Sequence, residues 1–105
     1  MRKRMRLEWS AYALADRTVI FDYIEADNPR AAVAVDARIR EKVATLARFP
    51  ESGRTGRIEG TRELVISRTP YIVAYRIAGS TVRVLRVLHG SRRWPDDMPE
   101  ETKSE

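Results

Sequence analysis

The stretch from Pro70 to Gly90 constrains this chain most. Two runs rich in valine, isoleucine, leucine and tyrosine flank Gly79-Ser80. β-Branched and aromatic side chains suit a pleated, half-buried surface, so both runs are expected to be strands. Glycine at the first central position of a two-residue connection fits a type II′ hairpin turn. If Ala78 faces Thr81, then Ile77 faces Val82, Arg76 faces Arg83, Tyr75 faces Val84, Val73 faces Arg86 and Tyr71 faces Leu88. Alternation sorts the hairpin into two faces. The expected core face holds Tyr71, Val73, Tyr75, Ile77, Val82, Val84 and Leu88, with Arg86 among them. The other mixes Ile72, Ala74, Leu85 and Val87 with Arg76, Arg83 and His89, the only histidine. Like charges directly opposite each other weaken a ladder. Arg76 and Arg83 therefore either extend into water or face an acidic group: a protein carboxylate, a partner or a phosphate.

Upstream, Met5 to Trp9 alternate apolar and polar, which suggests a short strand at the sheet edge. Ser10 is placed to cap a helix from Ala11 to about Ala26. Its apolar stripe is Ala13, Ile20, Tyr23 and Ile24, with Leu14 and Phe21 beside it and Asp16 and Asp22 outside it. Asp27-Asn28-Pro29 breaks it. Asn28 caps and Pro29 starts a second helix, expected to reach about Phe49, with Ala32, Val35, Ile39, Val43 and Leu46 as the buried stripe. So short a connection makes an αα-hairpin. Residues 51–60 read as an irregular loop bearing glycine and arginine. A phosphate cradle needs a strand before it and a helix after it, and this loop has the reverse. Thr61 to Ile66 is the next strand.

The chain's 105 residues favour one domain, residues 1–95, followed by an acidic segment, 96–105, expected to be disordered. No apolar run reaches the ~18 residues of a membrane span. The basic N-terminus lacks the apolar stretch of a secretory signal. No cysteine is present, which excludes disulfides and thiol chemistry. The net charge is +5. From Asp96 onward five acids and one base give −4, so residues 1–95 carry +9. Nine arginines and no lysine lie between Arg54 and Arg93, opposed only by Glu59 and Glu63. Arginine's planar fork suits carboxylate or phosphate, so such a field favours an acidic protein segment or nucleic acid.

Several blocks in this order resemble the RelE/ParE superfamily of bacterial type II toxins. They are Asp22-Tyr23-Ile24 with Asp27-Asn28-Pro29, Leu46-Ala47-Arg48-Phe49-Pro50, Gly53-Arg54, Gly60-Thr61-Arg62-Glu63-Leu64-Val65, and Pro70 to Arg76 through Val84 to Gly90. The resemblance covers about residues 7–95. It implies an α+β fold in which an N-terminal strand and an αα-hairpin pack on one face of a small, mainly antiparallel sheet of three to four strands. It also implies a cytoplasmic toxin in a hetero-oligomer with a cognate antitoxin, whose acidic segment wraps it. No cofactor and no metal are implied.

Such toxins divide by target. RelE- and YoeB-like members cut ribosome-bound mRNA without metal, whereas ParE-like members inhibit DNA gyrase. If the chain is a ribonuclease, the resemblance assigns catalysis to His89, which matches the YoeB-like histidine by position, and to Arg62, which falls where such toxins place a strand arginine; Arg83 joins them because it shares the expected hairpin face with His89. The tyrosine that follows it there is Gly90 here, and Glu59 and Glu63 are the only stand-ins for the catalytic glutamate. The Asp27-Asn28-Pro29 and Gly60-to-Leu64 blocks are more ParE-like. Gyrase inhibition therefore ranks first, ribosome-dependent mRNA cleavage second, and a non-toxic basic binding module third. Arg54, Arg57, Arg76, Arg86, Arg92, Arg93 and Trp94 are the candidates for contact with antitoxin or nucleic acid.

Overall fold

A computed structural model describes residues 4–95 and Met98. Its elements are β1 (Arg6–Trp9), α1 (Ala11–Glu25), α2 (Pro29–Ala44), a 3-10 turn (Thr45–Ala47), β2 (Arg54–Thr55), β3 (Arg62–Val65), β4 (Tyr71–Ala78) and β5 (Thr81–His89). The sheet order is β1-β5-β4-β3-β2. β1 runs parallel to β5, and the other neighbours are antiparallel. Both helices pack on one face, so the fold is α+β as expected. The sheet has five strands rather than three to four. The additional one, β2, is two residues of the glycine-arginine loop lying against Arg62 and Glu63, too short to leave an alternating pattern.

The helix boundaries follow local chemistry. The Ser10 hydroxyl accepts from the Ala13 amide at 3.0 Å and donates to the Leu85 carbonyl at 2.9 Å, so one side chain both caps α1 and pins it to β5. The Asn28 side chain accepts from Ala31 at 3.1 Å, and Pro29 opens α2. α2 stops at Ala44 and tightens into the 3-10 turn instead of reaching Phe49. Ala32, Ile39, Val43 and Leu46 are fully buried, as their spacing requires. Tyr23 is not: it stands 72% exposed. Ile20 and Ile24 carry the α1 contact instead. Arg17 locks the helix pair through a two-pronged bond to Asp36 at 2.9 and 3.0 Å, while its guanidinium lies 4.7 Å from the Trp9 ring centre.

The hairpin register holds from the Gly79-Ser80 turn to Tyr75 opposite Val84. Gly79 has φ +61°, and Ser80 is not among the residues of positive φ, so the turn suits type II′. Beyond Tyr75 a β-bulge inserts Leu85. Ala74 then faces Arg86, Val73 faces Val87, Ile72 faces Leu88 and Tyr71 faces His89. One extra residue exchanges the faces of everything after it. Val87, not Leu88, joins the helix-side core with Tyr71, Val73, Tyr75, Val82 and Val84. Arg86 leaves that face, and His89 moves onto it. Among the described residues no helix is long and apolar enough to cross a membrane.

Candidate functional site

The face away from the helices collects the arginines. Leu64 belongs to the helix-side core, so its neighbour Glu63 points the other way. Glu63 is only 3% exposed. Its carboxylate accepts from Arg54 Nε and Nη2 at 3.1 and 2.9 Å, and from Arg57 Nε and Nη2 at 3.0 and 3.4 Å. The Arg57 backbone amide donates to it as well, at 2.8 Å. Burial alone would raise this carboxyl; the bonds from Arg57 and Arg54 outweigh that and hold it below its ordinary value. Glu63 thus ties the glycine-arginine loop to β3.

The same cluster holds the chain after β5. The Arg57 guanidinium lies 3.6 Å from the centre of the Trp94 ring, a cation–π stack. The indole N–H of Trp94 donates to the His89 carbonyl at 3.0 Å. Gly90 sits where a Cβ would meet Ile72 Cδ1 at 2.9 Å, so the chain turns tightly over Ile72 onto this face. Trp94 is therefore a clasp on the strap of residues 90–95. Arg92 and Arg93 on that strap are exposed.

Arg76 and Arg83 face each other across β4 and β5 as expected, both half-buried. One answer to the like-charge pair comes from within the chain. β1 sets Glu8 beside Arg83, and Arg83 Nη1 donates to Glu8 Oε1 at 2.8 Å. Arg86 turns to the open edge of β5, beyond the end of β1. There Asp16 accepts from Arg86 Nε and Nη2 at 2.7 and 2.9 Å and from the Val87 amide at 2.9 Å. The bonds that Arg86 donates to Asp16 raise its guanidinium above the ordinary value and keep it charged. Asp16 so occupies a strand edge that would otherwise offer its amide to another chain.

Arg62 is elsewhere. It faces Tyr75 and donates to the Gly53 carbonyl at 2.8 Å and the Glu51 carbonyl at 3.3 Å. The buried Tyr75 hydroxyl donates to Pro50 O at 2.6 Å and accepts from Gly53 N at 2.9 Å, closing the same loop from below.

His89 lines a groove of about 460 Å³ between the second half of α1 and the ends of β4 and β5. Tyr23, Tyr71, Val19 and Arg92 share that lining. The Ser91 amide donates to His89 Nδ1 at 3.2 Å, so in the neutral ring the proton sits on Nε2. The Tyr71 ring meets the imidazole edge-on at 5.7 Å.

The structure brings Arg54, Arg57 and Trp94 together, and Arg76 beside Arg83. It does not bring Arg62, Arg83 and His89 together. Arg83 shared a face with His89 in the unbulged register; the bulge puts them on opposite faces. Arg62 is level with Tyr75 and His89 with Tyr71, about 13 Å apart along the sheet at ~3.3 Å per residue. Sequence reasoning missed the anchoring roles of Glu63, Glu8 and Asp16. For Glu63 a signal existed, as one of two acids within the arginine run.

Known proteins match this architecture. The family model described as "ParE toxin of type II toxin-antitoxin system, parDE" matches residues 7–94. The Y4kP protein of Sinorhizobium fredii, which carries the name of a toxin, is 48% identical over 92 residues, covering 88% of this chain and 95% of that protein. Toxin RelE2 of Caulobacter vibrioides is 38% identical over 84 residues, covering 80% of this chain and 93% of its own length. Among solved structures, a chain of the chromosomal ParDE system from P. aeruginosa superposes with a TM-score of 0.75 at 29% identity, covering 80% of this chain and 94% of that one. A chain of the RelBE2 toxin–antitoxin complex from Mycobacterium tuberculosis gives 0.56 at 26% identity, covering 85% and 94%.

Proposed function

Because the chain belongs to the ParE toxin family of type II toxin–antitoxin systems, we propose that it arrests growth by binding and inhibiting DNA gyrase. The observation that carries this reading is the separation of Arg62, Arg83 and His89. Cleavage of RNA by 2′-hydroxyl attack needs a base, an acid and cations within reach of one phosphate. Two faces of a sheet cannot serve one phosphate. Arg83 is engaged by Glu8 and Arg62 by loop carbonyls, so both have structural work.

A cognate antitoxin is the second partner. An acidic segment suits the arginine-bearing face, where Arg54, Arg57, Arg76 and Arg83 lie, and two of the similar structures come from toxin–antitoxin systems. Arg92 and Arg93 lie exposed on the strap, and Arg92 lines the groove beside His89.

The groove favours the other reading, ribosome-dependent mRNA cleavage. It sets an imidazole N–H beside Arg92 and two tyrosines, which is acid–base and phosphate-binding chemistry without Arg62 or Arg83. Purified protein added to a cell-free translation reaction, followed by primer extension on the mRNA, separates the two. Intact mRNA is expected. Discrete cuts inside ribosome-occupied codons, abolished by His89→Ala, would replace gyrase with the ribosome.

A further inference from the structure

We propose that the turn after β3, together with the last turns of α2, binds the phosphate backbone of duplex DNA without reading its bases. A hollow of about 270 Å³ lies between them, lined by Arg38, Glu41, Lys42, Thr45, Ile66 and Ser67. Arg68 follows Ser67 on the turn and is exposed. The three cations exceed the one carboxylate by two. Elsewhere the chain answers its own arginines. Arg17 and Arg40 bond to Asp36, Arg54 and Arg57 to Glu63, Arg83 to Glu8 and Arg86 to Asp16. Arg38, Lys42 and Arg68 meet no carboxylate at ion-pair distance among the described residues.

The backbone singles out Arg68. Thr69 N donates to Ile66 O at 3.2 Å, so residues 66–69 form a β-turn with Arg68 in its third place. There Arg68 has φ +66°, a left-handed conformation that glycine adopts freely and arginine only under strain. The guanidinium therefore stands beside the hollow against the preference of its own backbone. The strap brings more charge to the same turn, because Gly90 N donates to Pro70 O at 2.8 Å. Arg92 and Arg93 follow, both exposed. Chain length keeps their Cα atoms within about 25 Å of Arg68, a length of duplex that carries about 15 phosphates. The chemistry on offer is backbone chemistry: arginine forks, an ammonium and the Ser67 hydroxyl. No aromatic side chain lines the hollow among the described residues, so it lacks the stacking platform of a single-strand site. Its one large apolar residue, Ile66, is 1% exposed and gives an acidic peptide no foothold.

The test is fluorescence anisotropy of a fluorescein-labelled duplex of about 20 base pairs with the purified native chain, at about 50 to 200 mM salt. Two unrelated sequences should bind alike, with a Kd of about 1–100 μM near physiological salt and a log–log salt slope of about −3. Arg38→Gln with Lys42→Gln should weaken binding at least about tenfold and flatten the slope by about 2. Glu41→Gln, which removes the carboxylate from the hollow, should tighten it. Arg68→Gly should weaken binding severalfold without lowering Tm, since glycine suits the turn, so that loss cannot come from misfolding. Arg30→Gln removes the same charge from the first turn of α2, away from the hollow, and should change affinity less than about twofold. Equal weakening by Arg30→Gln and Arg68→Gly would reduce the effect to net charge and overturn the proposal. So would no binding at the lowest salt, tighter binding to either single strand, or displacement of the duplex by polyglutamate at equal charge concentration. The contact needs neither gyrase nor the ribosome, so it can fail while the toxin reading stands.

Discussion

Glu63→Ala removes the carboxylate that organises the glycine-arginine loop. Five hydrogen bonds end on it, from two guanidinium groups and the Arg57 amide. The two arginine side chains are 55% and 41% exposed, so they can retreat into water and contribute little apiece, ~0.5 kcal/mol each. The lost acceptor for the Arg57 amide adds about 1 kcal/mol. The expected loss is about 2 kcal/mol, or roughly 8–16 °C in Tm for a domain of this size. Glu63→Gln keeps the shape and one acceptor and should lose about half as much. The pH dependence has a definite sign. The folded carboxyl lies below its ordinary value, so its contribution is present above the unfolded pKa of about 4.3 and fades as pH falls through the folded value. The gap between native and Glu63→Gln should therefore close on acidification. Urea unfolding of the three chains from pH 7 to pH 3 measures this. A loss below about 0.5 kcal/mol for Glu63→Ala at pH 7 would refute the clamp, as would a gap that widens in acid.

Tyr75→Phe deletes the hydroxyl that joins Pro50 O and Gly53 N, and should cost about 1–3 kcal/mol because a buried amide loses its acceptor; chemical denaturation reads it directly. Asp36→Asn should cost about 1–2 kcal/mol at pH 7. The Arg17 bond holds the Asp36 carboxyl below its ordinary value, so this cost is present above about pH 3.8 and disappears as pH falls through the folded value. Thermal melts across that range check it.

The capped helices were legible in the sequence because their signals are local: Ser10, Asn28-Pro29 and an apolar stripe at helical spacing. The Gly79-Ser80 turn was legible because it needs a positive φ that glycine supplies. The bulge left no such mark. Leu85 is an ordinary strand residue between two others, and only the packing of α1 onto β5, through Ser10 on Leu85 O and Asp16 on Val87 N, accompanies the register change. That one residue decided which side of the sheet His89 occupies, and so dissolved the expected trio. The two-residue β2 was hidden for a related reason, since a pair of residues has no periodicity. Glu8 beside Arg83 depended on β1 lying parallel to β5, a contact 75 residues apart that no local pattern encodes.

The most direct test of gyrase as target is a supercoiling assay with purified gyrase, relaxed plasmid and either the native chain or His89→Ala. Both proteins should block supercoiling at similar concentrations, since the imidazole does no chemistry in a binding inhibitor. Undisturbed supercoiling at a large excess of the native chain would contradict gyrase as the target.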